Sequence, residues 1–552
     1  MIVASADESL LLHLPLGRQA PAEAPVREAA MVAPRAAAAT PPNKWLVTAA
    51  VLTGTIMAVL DSSIVNVALP KMSGTLACSI EEITWVVTAY ILSNVIVMPM
   101  IAMLSARFGR KRVYLTSVVL FTASSMACGM ARTLPLMIVF RVLQGAGGGV
   151  LQTVSQAILR ETFPPEEQGI AMGLFGMGAV VAPAVGPTLG GWLTDNYSWP
   201  WIFYINVPIG IVNVLLVTRF VHDPVFLKRV KGAIDWLGLS LMTVGLGALQ
   251  LMLEKGETEG WLDSGFIRVL AVVAAAGFAG FVWRELTARA PAVDLRLLRN
   301  GTFSSATIMG GILGIALTAS LFLLPVFLQR NLGYPAIQAG LALMPRSLAM
   351  LILMPIGGLL YNRLGPRVLV GSGLIVCAFS FWRLGHLAPD VGFWDVFFPQ
   401  LWQGVGFSLI FVALSTAALG GVARAKLTAA SGLYNVVRQV CGSVGIAVAA
   451  TMVSRGTVIY RSRLAERLVP GDPRVMAWLR SAEAVTRRMG GDPATAANRA
   501  LAMLDRYVTR QAAVLAYNHV YQLITLAFVA CLPLVLMLRR PSGHVEVEIG
   551  AE

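Results

Sequence analysis

The chain has 552 residues, of which 56% are hydrophobic and 13% are charged. A soluble domain carries about 25% charged residues, so this composition excludes a soluble globular protein and predicts an integral membrane protein. A formal net charge of +14 could indicate a nucleic-acid-binding protein. The basic residues are instead concentrated in the loops on one side of the predicted membrane spans, so no nucleic-acid partner is predicted. The five cysteines are scattered, without the spacing of a metal site or a disulfide, and no cofactor is predicted.

Residues 1–43 form a tail that is rich in Ala and Pro and contains no apolar run long enough for a signal peptide or a membrane span. We expect this tail to be disordered and cytoplasmic, and Met31 is an alternative start of the chain. Residues 541–552 are predicted to form a second, short cytoplasmic tail.

Fourteen apolar windows of about 20 residues lie between the tails, and each is long enough to cross a bilayer as a helix. They begin near Trp45, Trp85, Val113, Leu136, Ile170, Trp201, Ile234, Phe266, Phe303, Ala339, Val368, Trp394, Ala430 and Ala513. If the amino terminus is cytoplasmic, the short inner loops and the carboxyl tail hold 19 of the 43 Lys and Arg residues, and the short outer loops hold six. This asymmetry predicts a multi-pass protein with both termini in the cytoplasm.

An acid lies deep in the first apolar window, at Asp61. An ionised carboxylate near the middle of a bilayer costs about 3 kcal/mol, so an acid in this place needs a partner or a function. We interpret Asp61 as a proton or cation site, and a purely structural ion pair is the alternative. Asn66, further along the same window, is assigned to the substrate cavity.

A short basic loop after the second window, Arg107-Phe108-Gly109-Arg110, is repeated 256 residues later as Arg363-Leu364-Gly365-Pro366. An internal repeat of this kind predicts two similar halves, and in a membrane such halves usually move against each other to carry a substrate. The 256 residues between the two copies of the loop contain eight of the predicted spans. Two additional helices, within residues 233–283, therefore lie between two six-helix halves.

Arg141 lies at the same depth in the fourth window as Asp61 does in the first, about 10 to 12 Å from the outer ends at 1.5 Å per residue. The matched depths make the two residues natural partners. If the pair has to separate before Asp61 loads a proton, it couples proton transfer to a rearrangement; a permanent salt bridge is the alternative. Gln144 lies one turn further along the same helix and is assigned to the substrate cavity.

The fifth window combines closely spaced glycines with prolines, including Gly173, Gly186, Pro187, Gly190 and Gly191. Glycines let neighbouring helices approach to backbone contact, and an internal proline interrupts the helical hydrogen bonds and kinks the helix. We predict that this helix bends where it packs and takes part in the conformational switch.

Two further arginines, Arg346 and Arg438, lie inside apolar windows in which no acid is available to pair with them. They have to find carbonyl groups, water or an anionic part of a substrate. We assign both, together with Asn435, to the substrate cavity, and satisfaction by carbonyl groups and water is the alternative.

Residues 455–512 are predicted to form a long outer loop. Asp472-Pro473 and Asp492-Pro493 each combine a helix-capping residue with a proline suited to the first helical turn. The apolar residues after the first of these motifs fall on one face of a helix, which Gly490-Gly491 would end. The loop is either a cover over the outer mouth or a docking surface for a partner.

Motifs for other functions are missing from the sequence. No Lys follows a Gly, so there is no Gly-Lys-Ser/Thr phosphate loop, and ATP-driven pumping within this chain is excluded. There is no His-Glu-x-x-His motif and no Gly-x-Ser-x-Gly motif. The chain is therefore not predicted to be an enzyme, whereas a secondary transporter needs only helices, a cavity and a titratable group.

The motifs described so far resemble, in order and spacing, those of the fourteen-helix drug:proton antiporter branch of the major facilitator superfamily, of the EmrB/QacA type. The resemblance covers about residues 45–538. It rests on the segments Leu60–Pro70, Ala102–Lys111, Arg141–Gly145, Gly186–Gly191 and Asp195–Pro208.

The resemblance implies an all-α polytopic membrane protein with the major facilitator fold, made of two six-helix bundles and two inserted helices. We expect the bundles at residues 44–220 and 301–540, joined by residues 221–300, which carry the inserted helices. It also implies transport by alternating access. In this scheme Asp61 and Arg141 couple protons, and the switch loops use Arg107, Gly109, Arg110 and Gly365.

By the same resemblance, the protein exports amphiphilic drugs or toxic compounds in exchange for protons across the inner membrane of a bacterium. Its partners are then a small amphiphilic substrate, protons and the lipid bilayer, and such pumps commonly also use a periplasmic adaptor and an outer-membrane channel. The alternative is a proton-coupled exporter of a fatty acid, a siderophore or another metabolite. A more remote alternative is a non-transporting membrane sensor on the same fold.

Besides two conservative changes, Ser63 for Thr and Ala182 for Gly, the sequence departs from the family pattern at three positions that bear on function. The loop motif usually carries Asp where Ala106 stands, and the second copy would carry it at Asn362. That acid takes part in a charge lock, so the lock is expected to be weaker here or to use other atoms. His519 stands where the family often has an acid, and it adds a group that titrates near neutral pH close to the outer face.

Overall fold

The computed structural model describes residues 43–223, 235–288, 293–388, 390–469, 471–488 and 492–538. Within these ranges the secondary structure is helical and contains no strand. The predicted tails lie outside the described residues, except for Asn43, whose side chain caps the first helix by accepting a hydrogen bond from the backbone N–H of Trp45 at 3.0 Å. The central part of the predicted linker, residues 224–234, also lies outside them.

The first half of the chain forms six long helices. These are α1 (Lys44–Thr75), α2 (Ile80–Phe108), α3 (Arg110–Met130), α4 (Leu134–Thr162), α5 (Gln168–Asn196) and α6 (Trp201–Phe220). Helix α1 packs against α5, α4 and α6, while α2 and α3 pack against α4. The apolar faces of these helices meet in two buried clusters, one within the first half and one that continues into the second half.

Two helices follow, α7 (Trp236–Lys255) and α8 (Gly265–Thr287), and they pack mainly against each other. Helix α7 also contacts both halves of the molecule. Lys255 donates a hydrogen bond to Thr84 Oγ1 of α2 at 3.2 Å, and Gln250 donates one to the Oγ of Ser443 at 2.8 Å. The inserted pair therefore bridges the two bundles along one side.

The second half contains α9 (Gly301–Arg330), a short helix (Ala336–Leu341), a long helical stretch (Met344–Leu384) and then α12 (Phe393–Gly420). Gly365 has φ 80° and ψ 171° inside the long stretch, which is not a helical conformation, and it divides the stretch into α10 (344–364) and α11 (366–384). The remaining helices are α13 (Leu427–Glu466), α14 (Pro473–Arg488) and α15 (Pro493–Ala530).

The described residues contain fourteen helices that are long and apolar enough to cross a membrane. Thirteen continuous helical stretches are long and apolar enough to cross a bilayer, and the division at Gly365 turns one of them into two. The chain is thus a multi-pass membrane protein whose span count agrees with the hydrophobic pattern.

The segment predicted as a long outer loop is mostly helical. Helix α13 continues to Glu466 and α15 begins at Pro493, so the two spans extend well beyond the apolar windows that define them, with α14 packed against α15. The two capping motifs act as predicted, because Asp492 accepts a hydrogen bond from Thr495 N–H at 3.1 Å and Asp472 accepts one from Arg474 N–H at 2.8 Å. The hydropathy pattern missed these extensions because their helices are amphipathic and rich in Arg.

We call the end of the bundle that carries the loops 107–112, 163–167 and 363–367 the basic end, and the opposite end the far end. The closest packing between the two halves joins α5 to α10 and α12, and α4 to α13. In helix α2, the half near the basic end (residues 98–108) makes most of the contact with α13. The two halves are therefore tightly packed near the basic end.

Candidate functional site

Asp61 lies at the centre of a buried polar cluster in the first half. Its side chain is fully buried on α1, as is that of Arg141 on α4. The Arg141 Nη1 atom donates a hydrogen bond to Asp61 Oδ2 at 2.5 Å, and Gln144 Nε2 donates one to Asp61 Oδ1 at 2.8 Å. The structure thus brings together three residues that sequence reasoning had placed on two separate helices.

Three other helices, α2, α3 and α6, complete the cluster. Asn206 of α6 donates a hydrogen bond to Asp61 Oδ1 at 3.0 Å and another to Ser125 Oγ at 3.0 Å. Arg141 is held by a hydrogen bond from Nε to the carbonyl oxygen of Val86 at 2.9 Å, and its guanidinium lies 4.3 Å from the centre of the Tyr90 ring. Sequence reasoning did not select Asn206 or Tyr90, although Asn206 lies in a segment that carries the family resemblance.

The cluster allows Asp61 to bind a proton only at the expense of its partners. In the observed arrangement a carboxylate and a guanidinium form a neutral pair, and both carboxylate oxygens accept hydrogen bonds. A proton on Asp61 would leave the Arg141 cation in the membrane interior without its counter-charge, which is energetically costly. Proton binding at this site therefore favours a rearrangement that separates the pair or admits a new partner.

The glycines at the far-end side of α5 bring this helix into contact with α1 beside Asp61. A Cβ atom at Gly186 would lie 2.0 Å from Ser63 Oγ, and one at Gly190 would lie 2.7 Å from Ile64 Cγ1. Pro187 lies inside the helix between them. Gly191 faces more open space, since the nearest atom to a Cβ there, in Val67, is 3.9 Å away. Close packing of α5 on α1 thus depends on Gly186 and Gly190.

Near the basic end, α5 makes backbone contact with α10 of the other half. A Cβ atom at Gly173 would lie 2.5 Å from the carbonyl oxygen of Met354, and one at Gly358 would lie 2.3 Å from the carbonyl oxygen of Gly169. Because both obstacles are backbone atoms, a small rotamer change cannot remove them. The glycines of α5 therefore serve two interfaces, one within the first half and one between the halves.

Hydrogen bonds between α4 and α13 also join the halves. Buried Gln156 accepts hydrogen bonds through Oε1 from Ser431 Oγ at 2.9 Å and from Asn435 Nδ2 at 2.7 Å. Asn435 in turn accepts a hydrogen bond from Arg438 Nη2 at 3.3 Å, and the Arg438 guanidinium lies 5.7 Å from the centre of the Phe411 ring. Two predicted cavity residues thus lie beside the contact between the halves, together with Gln156, which the sequence analysis did not select.

The first switch loop uses acids that lie elsewhere in the sequence. Gly109 has φ 89°, and a Cβ atom there would lie 2.6 Å from Asp223 Oδ2. Asp223 Oδ1 accepts a hydrogen bond from the backbone N–H of Lys111 at 2.7 Å, and Arg110 forms an ion pair with Glu161 of α4. Asp223 and Glu161 thus provide the negative charge that the loop itself lacks at position 106, while the Arg107 guanidinium lies 6.0 Å from the centre of the Phe108 ring.

The second switch loop contacts the first half directly. Asn362 donates a hydrogen bond through Nδ2 to the backbone carbonyl oxygen of Glu166. An aspartate at position 362 could not donate this hydrogen bond, so the amide suits the observed contact better than the usual acid would. Arg367, beyond the turn at Gly365, donates hydrogen bonds to the carbonyl oxygens of Leu538 and Leu536 at 2.7 and 2.9 Å.

The remaining predicted cavity residues lie apart from Asp61. Asn66 is exposed and donates a hydrogen bond to the carbonyl oxygen of Ser62 at 3.3 Å. Arg346 is buried in the second half, where it donates a hydrogen bond to Ser320 Oγ at 3.2 Å. The described residues contain no group of side chains suited to hold a metal ion.

A family model described as Major Facilitator Superfamily matches residues 51–446. The chain belongs to this superfamily. It is 36% identical over 508 residues to the multidrug export protein EmrB of Haemophilus influenzae, which covers 90% of this chain and 96% of that protein. It is also 34% identical to EmrB of Escherichia coli, over 90% of this chain and 96% of the relative, and these matches place it in the EmrB-like branch of the superfamily.

Another relative has a different named function. The fatty acid resistance protein FarB of Neisseria gonorrhoeae is 33% identical, over 88% of this chain and 96% of that protein. FarB and the two EmrB proteins are matched over nearly their whole lengths, so the likeness extends to both halves of the bundle.

Two solved structures support the fold alone, because their sequence identities are low. The human organic anion transporter MFSD10 (TETRAN) matches with a TM-score of 0.55 at 13% identity, over 88% of this chain and all of that one. The proton:xylose symporter XylE matches with a TM-score of 0.53 at 12% identity, over 86% of this chain and 94% of that one.

Proposed function

We propose that the protein is a proton-coupled antiporter that exports amphiphilic drugs or other toxic compounds by alternating access. The observation that carries this proposal is the fully buried Asp61, held by Arg141, Gln144 and Asn206 from two other helices. It provides a titratable group in the membrane interior, which proton coupling requires. The names of the EmrB relatives, which are multidrug export proteins, support drugs as the substrate class.

We place the protein in the cytoplasmic membrane of a bacterium, with both termini and the basic end facing the cytoplasm, in agreement with the positive-inside pattern. With this orientation the packed end is the cytoplasmic end, and we propose that the structure represents a state that is closed towards the cytoplasm. A proton from outside then reaches Asp61 while a drug leaves. The proton is released to the cytoplasm after the halves separate at the basic end.

The proposed switch consists of contacts that exist only while the basic end is closed. The glycine contact of α5 with α10, the hydrogen bond from Asn362 to Glu166, and the hydrogen bonds of Gln156 all join the halves there. Opening that end breaks these contacts together. Asn66, Gln144, Asn435 and Arg438 are the proposed substrate contacts.

Export of a fatty acid is a second candidate, favoured by the likeness to FarB. A fatty acid carries a carboxylate, and Arg438 has no carboxylate partner among the described residues. We also propose that an adaptor and an outer-membrane channel extend the path if the host has two membranes, with α14 and the extensions of α13 and α15 as the contact surface.

The test uses a bacterial host sensitised by deletion of its own efflux pumps. Cells that express the wild-type chain, Asp61→Asn or the exposed control Asp263→Asn are compared against lipophilic cations, neutral drugs and long-chain fatty acids. We expect the wild type and the control to raise the minimum inhibitory concentration of a set of drugs. Cells with Asp61→Asn should tolerate a drug concentration about tenfold or more below that of the wild type. Resistance to fatty acids alone would favour the second candidate, and full activity of Asp61→Asn would refute proton coupling at this residue.

A further inference from the structure

The second half contains a buried polar cluster at the positions that correspond to the Asp61 cluster. Position 320 lies 259 residues after 61, just as 400 lies 259 after 141 and 403 lies 259 after 144. The residues there are Ser320 on α9 and Gln400 and Gln403 on α12, and all three are fully buried. The repeat thus keeps a polar cluster but replaces its acid by a hydroxyl and its arginine by an amide.

Hydrogen bonds connect the members of this second cluster. Ser320 Oγ donates to Gln403 Oε1 at 3.0 Å, Gln400 Nε2 lies 3.5 Å from the same oxygen, and Arg346 Nη1 donates to Ser320 Oγ at 3.2 Å. Arg346 comes from α10, at the position 256 residues after Tyr90. Tyr521 of α15 is fully buried and lies close enough to the Arg346 guanidinium to interact with it electrostatically.

The two clusters differ in their net charge. The cation of Arg141 is balanced by Asp61 in the first half. In the part of the chain that the structure describes, Arg346 has no carboxylate within ion-pair distance. Ser320 and Gln403 lie about 15 Å from the far ends of their helices, at 1.5 Å per residue. An unbalanced guanidinium at this depth is costly unless a counter-charge reaches it.

Two of the three unpaired side-chain atoms of this cluster can donate a hydrogen bond. The amide nitrogen of Gln403 and the hydroxyl of Tyr521 are buried without a partner. The third atom, Gln400 Oε1, can only accept, whereas the Tyr521 hydroxyl can donate or accept. A positive charge surrounded by free donors is the arrangement that binds an anion, whereas a cation would be repelled.

We propose that Arg346, Ser320, Gln403 and Tyr521 form a binding site for a small monovalent anion, either a free halide or the carboxylate head of an amphiphile. One positive charge balances one negative charge, which disfavours doubly charged phosphate or sulfate in this dry environment. Both sources offer the same chemistry, a compact negative charge that accepts hydrogen bonds. This proposal is independent of the proposed drug export, because anion binding would stabilise the folded protein regardless of which substrate it transports.

The test measures thermal unfolding of the purified full-length protein in detergent at constant pH and ionic strength. Sodium gluconate, whose bulky polar chain a dry site excludes, is replaced stepwise by sodium chloride. We expect a saturable rise in the unfolding temperature of the wild type, since a ligand that binds only the folded state stabilises it. Arg346→Gln should lose this rise, and the control Arg480→Gln, which removes an exposed arginine outside the membrane, should keep it.

A second variant tests the charge argument in a protein that keeps Arg346. Ser320→Asp places a carboxylate next to the guanidinium, as Asp61 lies next to Arg141 in the first half. We expect this variant to unfold at the same temperature in gluconate and in chloride, because its own carboxylate replaces the anion. An unfolding temperature that still rises with chloride in Ser320→Asp would overturn the proposal. A wild type that neither chloride nor a fatty-acid carboxylate stabilises relative to gluconate would also overturn it.

The two sources of the anion are separated by adding decanoate or uncharged decanol at the same low concentration, below the critical micelle concentration of decanoate. If the site takes a carboxylate head, decanoate stabilises the wild type in gluconate, whereas decanol does not, and Ser320→Asp loses the effect. If it takes a free halide, chloride alone stabilises it. Either result supports the anion site, and equal stabilisation by decanol and decanoate with no effect of chloride would refute it.

Discussion

Replacing Gly358 by Ala should shift the protein away from the state with a closed basic end. A Cβ atom at this position would lie 2.3 Å from the Gly169 carbonyl oxygen and 2.8 Å from Ile170 Cα. A carbon atom and a carbonyl oxygen normally approach no closer than about 3.3 Å. Helices α5 and α10 would therefore have to separate by about 1 Å at their contact.

The size of the shift follows from the cost of this overlap. Forcing an extra methyl group into a closely packed interface costs about 1 to 3 kcal/mol. The cost applies only to the closed state, because the contact is absent once the halves separate at the basic end. The ratio of closed to open molecules should then fall by about 5-fold to 150-fold.

Gly357→Ala is the matched control, because it adds the same methyl group to the neighbouring residue. A Cβ atom at Gly357 would lie 3.7 Å from its nearest neighbour, the Ser408 carbonyl oxygen, which is an ordinary contact. The two variants have nearly the same helix propensity, so a difference between them reports the contact between the halves.

The assay measures the distance between the halves by pulsed electron paramagnetic resonance. Spin labels are attached at exposed positions 112 and 424, one on each half, in a background without native cysteines. We expect Gly358→Ala to populate a longer distance than the wild type, and Gly357→Ala to resemble the wild type. Identical distance distributions in all three proteins would refute the argument that this glycine contact holds the basic end closed.

Three further predictions concern the contacts around the basic end. Asn362→Asp should weaken the closed state by about 1 kcal/mol, since it replaces the donor to the Glu166 carbonyl oxygen by a second acceptor, and the same spin-label distances measure it. Gln156→Leu should have a similar or larger effect, about 1 to 3 kcal/mol, because it leaves buried donors on α13 without their acceptor; an unchanged distance distribution would contradict it. Asp223→Ala should lower the unfolding temperature of the purified protein through loss of about 0.5 to 2 kcal/mol of helix capping at Lys111, whereas Asp223→Asn, which keeps an acceptor, should lose less.

The parts of the fold that depend on local sequence were predictable. Hydropathy located the fourteen spans, because every spanning helix must be apolar over about 20 residues. The depths of Asp61 and Arg141 pointed to their contact, since residues at equal depth in one bundle can meet. The capping residues Asp472 and Asp492 fixed the starts of α14 and α15, because the cap is a local hydrogen bond.

The features that depend on tertiary contacts were not predictable in the same way. Asp223 follows four helices later in the sequence, and nothing near Gly109 indicates that its carboxylate lies beside this loop. Gln156 resembles any polar residue in an apolar helix until α13 packs against it. The positions of Ser320, Gln400 and Gln403, each 259 residues after a member of the Asp61 cluster, could have pointed to a second cluster. The sequence alone does not show that these three side chains contact one another.

The most direct test of proton coupling through Asp61 is the release of protons when substrate binds to the purified protein. A compound that the susceptibility panel identifies as exported is added in weakly buffered solution that contains a pH indicator. If Asp61 exchanges its proton for the substrate, the wild type and Asp263→Asn release protons in proportion to the bound substrate, and Asp61→Asn binds the compound without releasing any. Equal proton release by Asp61→Asn and the wild type would show that another group couples the proton, and would contradict the role proposed for Asp61.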